Sequence, residues 1–367
     1  MSLIIDGTNG VTFNDSSLQG AAASPYVLKN RIINGDMRID QRNAGASTTP
    51  TLDQTYTLDR WAAGLSAGSK YSVQQNAGSV TPPSGFTNYL GVTSLSSYTV
   101  GASDYFYINQ RIEGYNVSDL AYGTASAKTI TLSFWVRSSL TGTFGGSVFN
   151  ANSSYTYPFT YTILAANTWE QKSITIAGDT ARALATTNGL GFLVSFGLGA
   201  GSTYSATAGS WQSGLFVSAT GATSVVGTNG ATFYITGVQL EIGTSATPFE
   251  RRLYNQELAN CQRYYWKNIV TVANAGFGLV GAFSSTTTLY CSIQYPVPMR
   301  TAPTITQSGT SIANGAVGSV VTSIPGATIG ANGAVIGFTA GASFTIGQGG
   351  YVYGPTIGNY VDYTAEL

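Results

Sequence analysis

Between Asn30 and Phe249, apolar and polar positions alternate in short runs, and clusters of Gly, Ser and Asn separate one run from the next. A period of two places successive side chains on opposite faces of a strand, so the series predicts an all-β fold built as a β-sandwich. In KTITLSFWVRSS, Ile130, Leu132, Phe134 and Val136 fall on one face, with Thr129, Thr131, Ser133, Trp135 and Arg137 on the other. YFYINQRIEG, WEQKSITIAGD, GLGFLVSFG and ATFYITGVQLEIG supply further strands, and the third of these, apolar on both faces, suits a central position.

The pattern changes within GVQLEIGTSATPFERRLYNQELANCQRYYWKN, residues 237–268. Phe233 and Ile235 have odd parity, whereas Val238, Leu240 and Ile242 have even parity. The apolar phase slips by one residue around Thr236 and Gly237, which predicts a bulge or break at Gly237. Downstream, Thr247 is placed as an N-cap, Pro248 at the first helical position and Glu250 as the capping-box partner, with a second possible cap at Asn255. Tyr254, Leu258, Cys261 and Tyr265 then follow at heptad spacing. Such a short seam has two readings: a helix docked on its own sandwich, or a neck through which chains associate.

Beyond Lys267 only Arg300, Asp362 and Glu366 carry charge, and short alternating pieces rich in Gly, Ala, Ser, Thr, Val and Tyr predict a second β-domain. SIQYPVPMRTAPTIT alternates Ile293, Tyr295, Val297 and Met299 with Pro296 and Pro298, which restricts it to an edge strand. Edges with so little charge are poorly protected from pairing, so symmetric association is expected to cover them.

Composition removes several functions. Formal net charge is +0 with a pI near 6.2, and no Lys/Arg cluster occurs, so neither nucleic acid nor an anionic membrane surface is an expected partner. The start, MSLIID, has no basic n-region or long apolar h-region, and no apolar run reaches membrane-spanning length; neither a secretory signal nor membrane insertion is expected. One possible bridge could not staple a chain of 367 residues, so Cys261 and Cys291 are expected as buried, reduced thiols. With 0 His, His-dependent triads, HExxH sites and most zinc sites are excluded. No P-loop, CxxC or dinucleotide fingerprint occurs, and GLGAG at 197–201 is merely Gly-rich. Asp36, Asp53, Asp59, Asp104, Glu113, Asp119 and Glu170 are the carboxylates open to glycoside hydrolysis, yet none pairs locally, which favours solvated or turn-capping roles. DGTNG has no EF-hand spacing and reads as an Asx-turn, so no cofactor or metal is expected.

The distinctive feature is aromatic: 23 Tyr, 16 Phe and 5 Trp against 9% charged residues. Flat aromatic faces with neutral hydrogen-bonding groups can hold an uncharged sugar. Trp61, Trp169, Trp211 and Trp266 are read as packing residues, while Trp135 alternates onto the polar face of its strand, either covered by a second layer or subunit or exposed as a candidate glycan-binding residue. In GQGGYVYGPTIGNYVDYTAEL, Tyr351 and Tyr353 share a face opposite Val352 between glycine-rich turns, and with Asn359 and Tyr360 they form the candidate glycan-binding group. Packing between subunits is the alternative for the same rings.

The ordered set NRIINGDMRIDQRNAG, YTLDRW, QRIEG, LSFWVRSS, NTWEQKSITIAGD, TGVQLEIGTSATPFERR and ELANCQRYY, spanning Asn30 to Tyr265, resembles a group of bacteriophage and prophage fibre-type virion proteins. The resemblance implies a carbohydrate-binding-module-like jelly roll at 30–249 and a virion-attachment segment at 1–29, to which the pattern adds a helical neck at 250–268 and a distal β-domain at 269–367 that matches the group only loosely. It further implies a homotrimer, assembled in the bacterial cytoplasm and carried on the virion, that contacts other virion proteins and host cell-surface polysaccharide. It implies no active site, so an enzyme is not expected. A head fibre or capsid decoration protein and a capsule depolymerase are the alternatives.

Overall fold

The computed structural model describes residues 28–315 and 317–367, together with Ile4–Asp6, Gly10–Thr12 and Leu18–Gln19. Those short strands pair antiparallel with one another. The rest of the expected attachment segment before Leu28, including the middle of DGTNG, lies outside the described residues.

The jelly-roll sandwich consists of two antiparallel sheets on one core. The first takes β1 (Thr55–Leu58), β2 (Trp61–Leu65), β5 (Tyr105–Glu113), β7 (Gly142–Asn150), β8 (Tyr155–Ile163), β10 (Leu190–Ala200) and β11 (Gln212–Ser213), ordered β11-β8-β7-β10-β5-β2-β1. The second takes β3 (Tyr71–Gln75), β4 (Leu90–Ser94), β6 (Ile130–Ser138), β9 (Glu170–Ile176) and β12 (Thr232–Ile242), ordered β9-β6-β12-β4-β3. Ile130, Leu132, Phe134 and Val136 all reach the core, where Phe134 meets Phe196 edge-on at 5.0 Å. GLGFLVSFG lies in β10, inside the seven-stranded sheet and buried on both faces. The bulge is present as expected. Register shifts between Thr236 and Gln239, Gly237 has φ +60°, and a Cβ there would lie 2.6 Å from Phe86.

The hand-over is shorter than its sequence suggests. Thr247 donates its hydroxyl to Glu241 at 2.6 Å and its N–H to the same carboxylate at 2.9 Å, while Glu250 accepts from the Asn30 N–H at 3.0 Å. These side chains tie the segment to the sandwich instead of capping a helix. Helix α1 runs from Tyr254 to Gln262, with Leu253 at its N-cap and Asn255 inside its first turn. Cys261 packs with Ile33, Ile39 and Tyr264, and Leu258 packs against them. Tyr254 stays exposed, and Tyr265 lies beyond the helix, buried in a strand. The four residues therefore do not form one exposed seam, because the helix spends its apolar side on its own sandwich.

The C-terminal strands are β13 (Tyr265–Ile269), β14 (Ala275–Phe283), β15 (Thr288–Gln294), β16 (Thr304–Ser308), β17 (Ser311–Ala313), β18 (Gly318–Ser323), β19 (Ala327–Ile329), β20 (Gly333–Ala340), β21 (Gly349–Gly354) and β22 (Tyr360–Thr364). A small sheet orders β13-β22-β16; a larger one orders β15-β14-β21-β17-β18-β20-β19. β15 also pairs with β20 along Thr288–Gln294, closing a barrel around Leu279, Phe283, Leu289, Ile336, Phe338 and Val352. Closure pairs β15 with β20 within the chain, whereas among the described residues β16, β13 and β19 each pair on one side only and leave edges. The segment expected as one edge strand is split: β15 stops at Gln294, before Pro296 and Pro298, and its end, from Thr304, joins β16 at the edge of the small sheet. Cys261 and Cys291 are both buried and unbridged.

Charge gathers where sandwich, helix and barrel meet. Glu366 pairs with Arg60 and, at 2.7 Å, with Arg42. Glu113 accepts from Arg263 at 2.6 Å and from the Tyr264 hydroxyl at 2.6 Å. The Arg60 guanidinium lies 3.6 Å from the Tyr264 ring centroid, and Arg42 lies 3.7 Å from that of Tyr265. Arg300 donates to the carbonyls of Ala365, at 2.7 Å, and Asn188, at 3.1 Å, so one side chain bridges both modules.

Asp59, fully buried in this cluster, faces Arg42, Gln41, Glu366, Cys261 and Tyr265. Burial pushes its carboxyl up to about 7, against the opposing pull of Arg42 and Gln41. Between about pH 4 and pH 7 the folded chain keeps a proton that the unfolded chain has lost, so stability falls as pH rises, at most by about 1.4 kcal/mol per pH unit. Asp59→Asn is expected to flatten this slope, gaining on the native protein from pH 5 to pH 8 in urea midpoints. Parallel curves for the two proteins would refute the assignment.

Candidate functional site

β5 sends Phe106, Ile108 and Ile112 into the core, which turns Tyr105, Tyr107 and Arg111 to the outer face of the seven-stranded sheet. Register sets Arg111 beside Leu193 of β10, and Leu193 beside Phe149 of β7. The Tyr107 ring lies over Gly64, where a Cβ would come within 2.3 Å of it. Loops raise the walls: Asp53 and Gln54 ahead of β1, and Tyr204, Leu215 and Val217 after β10. Together they enclose a pocket of about 200 Å³.

The rings are arranged by contact. Tyr105 meets Tyr204 edge-on at 4.7 Å and lies 5.9 Å from Tyr107. Gln54 donates to the Tyr107 hydroxyl at 2.7 Å, and its own side-chain oxygen accepts from Asn109 at 3.3 Å, which fixes the amide in the wall. Asp53 accepts from the Leu65 N–H at 2.9 Å and remains exposed. Arg111 is held by the Leu367 carbonyl. Burial, reinforced by the nearby Asp53 charge, raises the phenols of Tyr105 and Tyr107, so both keep their protons near neutrality. Aromatic faces, phenol and amide hydrogen-bonding groups, one carboxylate and one guanidinium thus converge on one small concavity.

Among the residues singled out in sequence, Tyr351 and Tyr353 do stand together, with ring centroids 5.8 Å apart. Asn359 does not join them as a ligand group: its side-chain oxygen accepts from the Thr356 N–H at 2.8 Å, closing its own turn. Tyr360 starts β22 in the other C-terminal sheet, with Lys267 4.3 Å from its ring centroid. Trp135 is half-buried and, with Phe86, presses on Gly237. Trp61, Trp169, Trp211 and Trp266 are packing residues, Trp266 stacking on Tyr363 at 4.7 Å.

The carboxylates divide in the same way. Asp36, Asp59 and Glu113 are buried in the charged cluster and its surroundings, and Asp119 pairs with Arg31 at 2.6 Å. Asp104 accepts from the Gly101 N–H at 2.8 Å, and Glu170 from the Leu164 N–H at 2.9 Å. Only Asp53 of that group lines the sandwich pocket. Sequence reasoning missed Tyr105, Tyr107, Tyr204 and Gln54. A signal existed for two of them, since Tyr105 and Tyr107 share the parity of Asn109 and Arg111 on the polar side of YFYINQRIEG.

No protein-family model matches the chain, and no curated protein matches it. Among solved structures it is similar to a CBM4 structure, at 16% identity over 57% of this chain and 98% of that one, with a TM-score of 0.30. It is also similar to the enzymatically active domain of bacteriophage CBA120 tailspike protein 4, at 12% identity, 61% and 22% coverage and a TM-score of 0.33. A third likeness is to a family 11 carbohydrate-binding module from Clostridium thermocellum, in complex with a mixed-linked tetrasaccharide, at 13% identity, 55% and 98% coverage and a TM-score of 0.27. The match takes in about a fifth of the tailspike chain. At such scores, the chemistry of the pocket is read from its own residues.

Proposed function

We propose that this chain is a non-enzymatic, fibre-type virion protein that binds host cell-surface glycan through the pocket on the seven-stranded sheet. The observation that carries the binding role is the convergence of Tyr105, Tyr107 and Tyr204 with Asp53, Gln54 and Arg111 around about 200 Å³. That volume lies below the range of drug-sized sites and suits one or two sugar units. A sugar hydroxyl donates to Asp53 and accepts from Gln54 or a phenol, while its C–H face meets the rings. Hydrolysis ordinarily uses two carboxylates flanking the bond, and the pocket lining supplies one.

The virion setting rests on the ordered motifs between Asn30 and Tyr265, with residues 1–29 as the attachment to other virion proteins and bacterial cytoplasm as the place of assembly. Homotrimerisation is part of the same proposal, supported by the uncharged strands β16 and β19, each paired on one side only. In the test, purified full-length protein blocks adsorption of the parent phage to host cells, releases no oligosaccharide from host polysaccharide, and has three times the chain mass by light scattering. Released oligosaccharide would establish a depolymerase instead. Failure to compete would remove the adsorption role, and a stable monomer would remove the trimer.

A further inference from the structure

A second concavity, of about 300 Å³, lies on the outer wall of the barrel, with Asn274, Val317, Gly318, Tyr351 and Tyr353 in its lining. β21 sends Val352 into the barrel core, which turns Tyr351 and Tyr353 outward. Their planes are inclined by 53°, so the rings form two walls of a cleft instead of one flat patch. Across the ladder from Tyr353 stands Gly276, where the nearest atom to an added Cβ is 3.8 Å away. Nothing from that position covers the ring. Register shifts between Gly276 and Val280, with Gly278 at φ +73°, and a bulge of this kind re-aims neighbouring side chains. Among the described residues neither phenol hydroxyl has a hydrogen-bond partner, and no charged side chain lines the cleft.

We infer that the barrel carries a second binding site, separate from the sandwich pocket, for an uncharged pyranose unit held between Tyr351 and Tyr353. The rings take the C–H faces of the sugar, and the phenols and the Asn274 amide take its hydroxyls. An anionic sugar finds no counter-charge in the lining. A polysaccharide long enough to reach both sites on one particle binds more tightly than either site alone allows. The inference does not depend on the sandwich pocket being occupied.

The experiment uses the full chain, saturation-transfer NMR with neutral methyl pyranosides, thermal melting and light scattering. Tyr351→Ala with Tyr353→Ala removes the walls; Asn274→Ala removes the amide of the lining while leaving both rings in place; Tyr105→Ala reports on the sandwich. In the Tyr105→Ala background, residual pyranoside binding is expected to fall by about tenfold or more with either barrel change. Mass and melting midpoint are expected to stay constant. Binding unaffected by both barrel variants overturns the site. A fall in mass or melting with binding intact overturns it too, and makes the rings a packing surface. If Tyr105→Ala alone abolishes binding, the barrel site fails and the sandwich reading stands; if only the barrel variants matter, the reverse holds.

Discussion

Arg60→Ala is expected to split thermal unfolding into two transitions and to destabilise the barrel–sandwich junction by about 3 to 5 kcal/mol. Arg60 is 1% exposed, contacts Glu366 and the Arg111 carbonyl, and covers the Tyr264 ring. Its loss leaves a nearly buried carboxylate with Arg42 as its remaining cation, and uncovers a ring that the guanidinium had shielded. The sandwich and the barrel each have a separate hydrophobic core, so loosening the contact between them uncouples two units that each retain a reason to fold. Arg60 also adopts φ +71°, a left-handed conformation in the Asp59-Arg60 turn that aims its side chain at the junction. Arg60→Gly relieves that strain without restoring the guanidinium, so it is expected to uncouple the modules as Ala does. A single transition at the native midpoint in both variants would show that the charges contribute no coupling.

Tyr105→Ala combined with Asp53→Asn is expected to weaken glycan binding by about a hundredfold, or about 2.7 kcal/mol. Tyr105 supplies the ring between Tyr107 and Tyr204, and Asp53 is the one carboxylate of the lining. Both side chains are at least partly open to solvent, so the fold is expected to survive, with the melting midpoint serving as the control. Tyr107→Phe removes the acceptor that anchors Gln54 and keeps the ring, so it should cost less, about tenfold. Full binding by a folded Tyr105→Ala, Asp53→Asn protein would place the glycan elsewhere.

The parts of the fold legible in sequence are those set by local pattern. The strand alternation through Ile130–Val136, the bulge at Gly237 and the apolar run of β10 all follow from a period of two and one glycine. Barrel closure was not legible, because it depends on β15 meeting β20 across some forty residues, and nothing in Thr288–Gln294 marks its partner. The helix is shorter than its heptad spacing predicts, because pairing with Thr364 draws Tyr265 into a strand. The charges of NGDMRIDQR, YTLDRW, QRIEG and ELANCQRYY read as exposed in isolation; burial in mutual ion pairs is a long-range property. The sandwich pocket was hidden for the same reason, since Asp53, Tyr105 and Tyr204 come from three separate segments.

A co-crystal structure of the full chain with an oligosaccharide fragment of the host surface glycan is the most direct measurement. The predicted result is a sugar ring seated against Tyr105 and Tyr204, with hydroxyls on Asp53 and Gln54 and the glycosidic bonds intact. Sugar bound elsewhere while this pocket stays empty, or a cleaved product within it, would contradict the assignment.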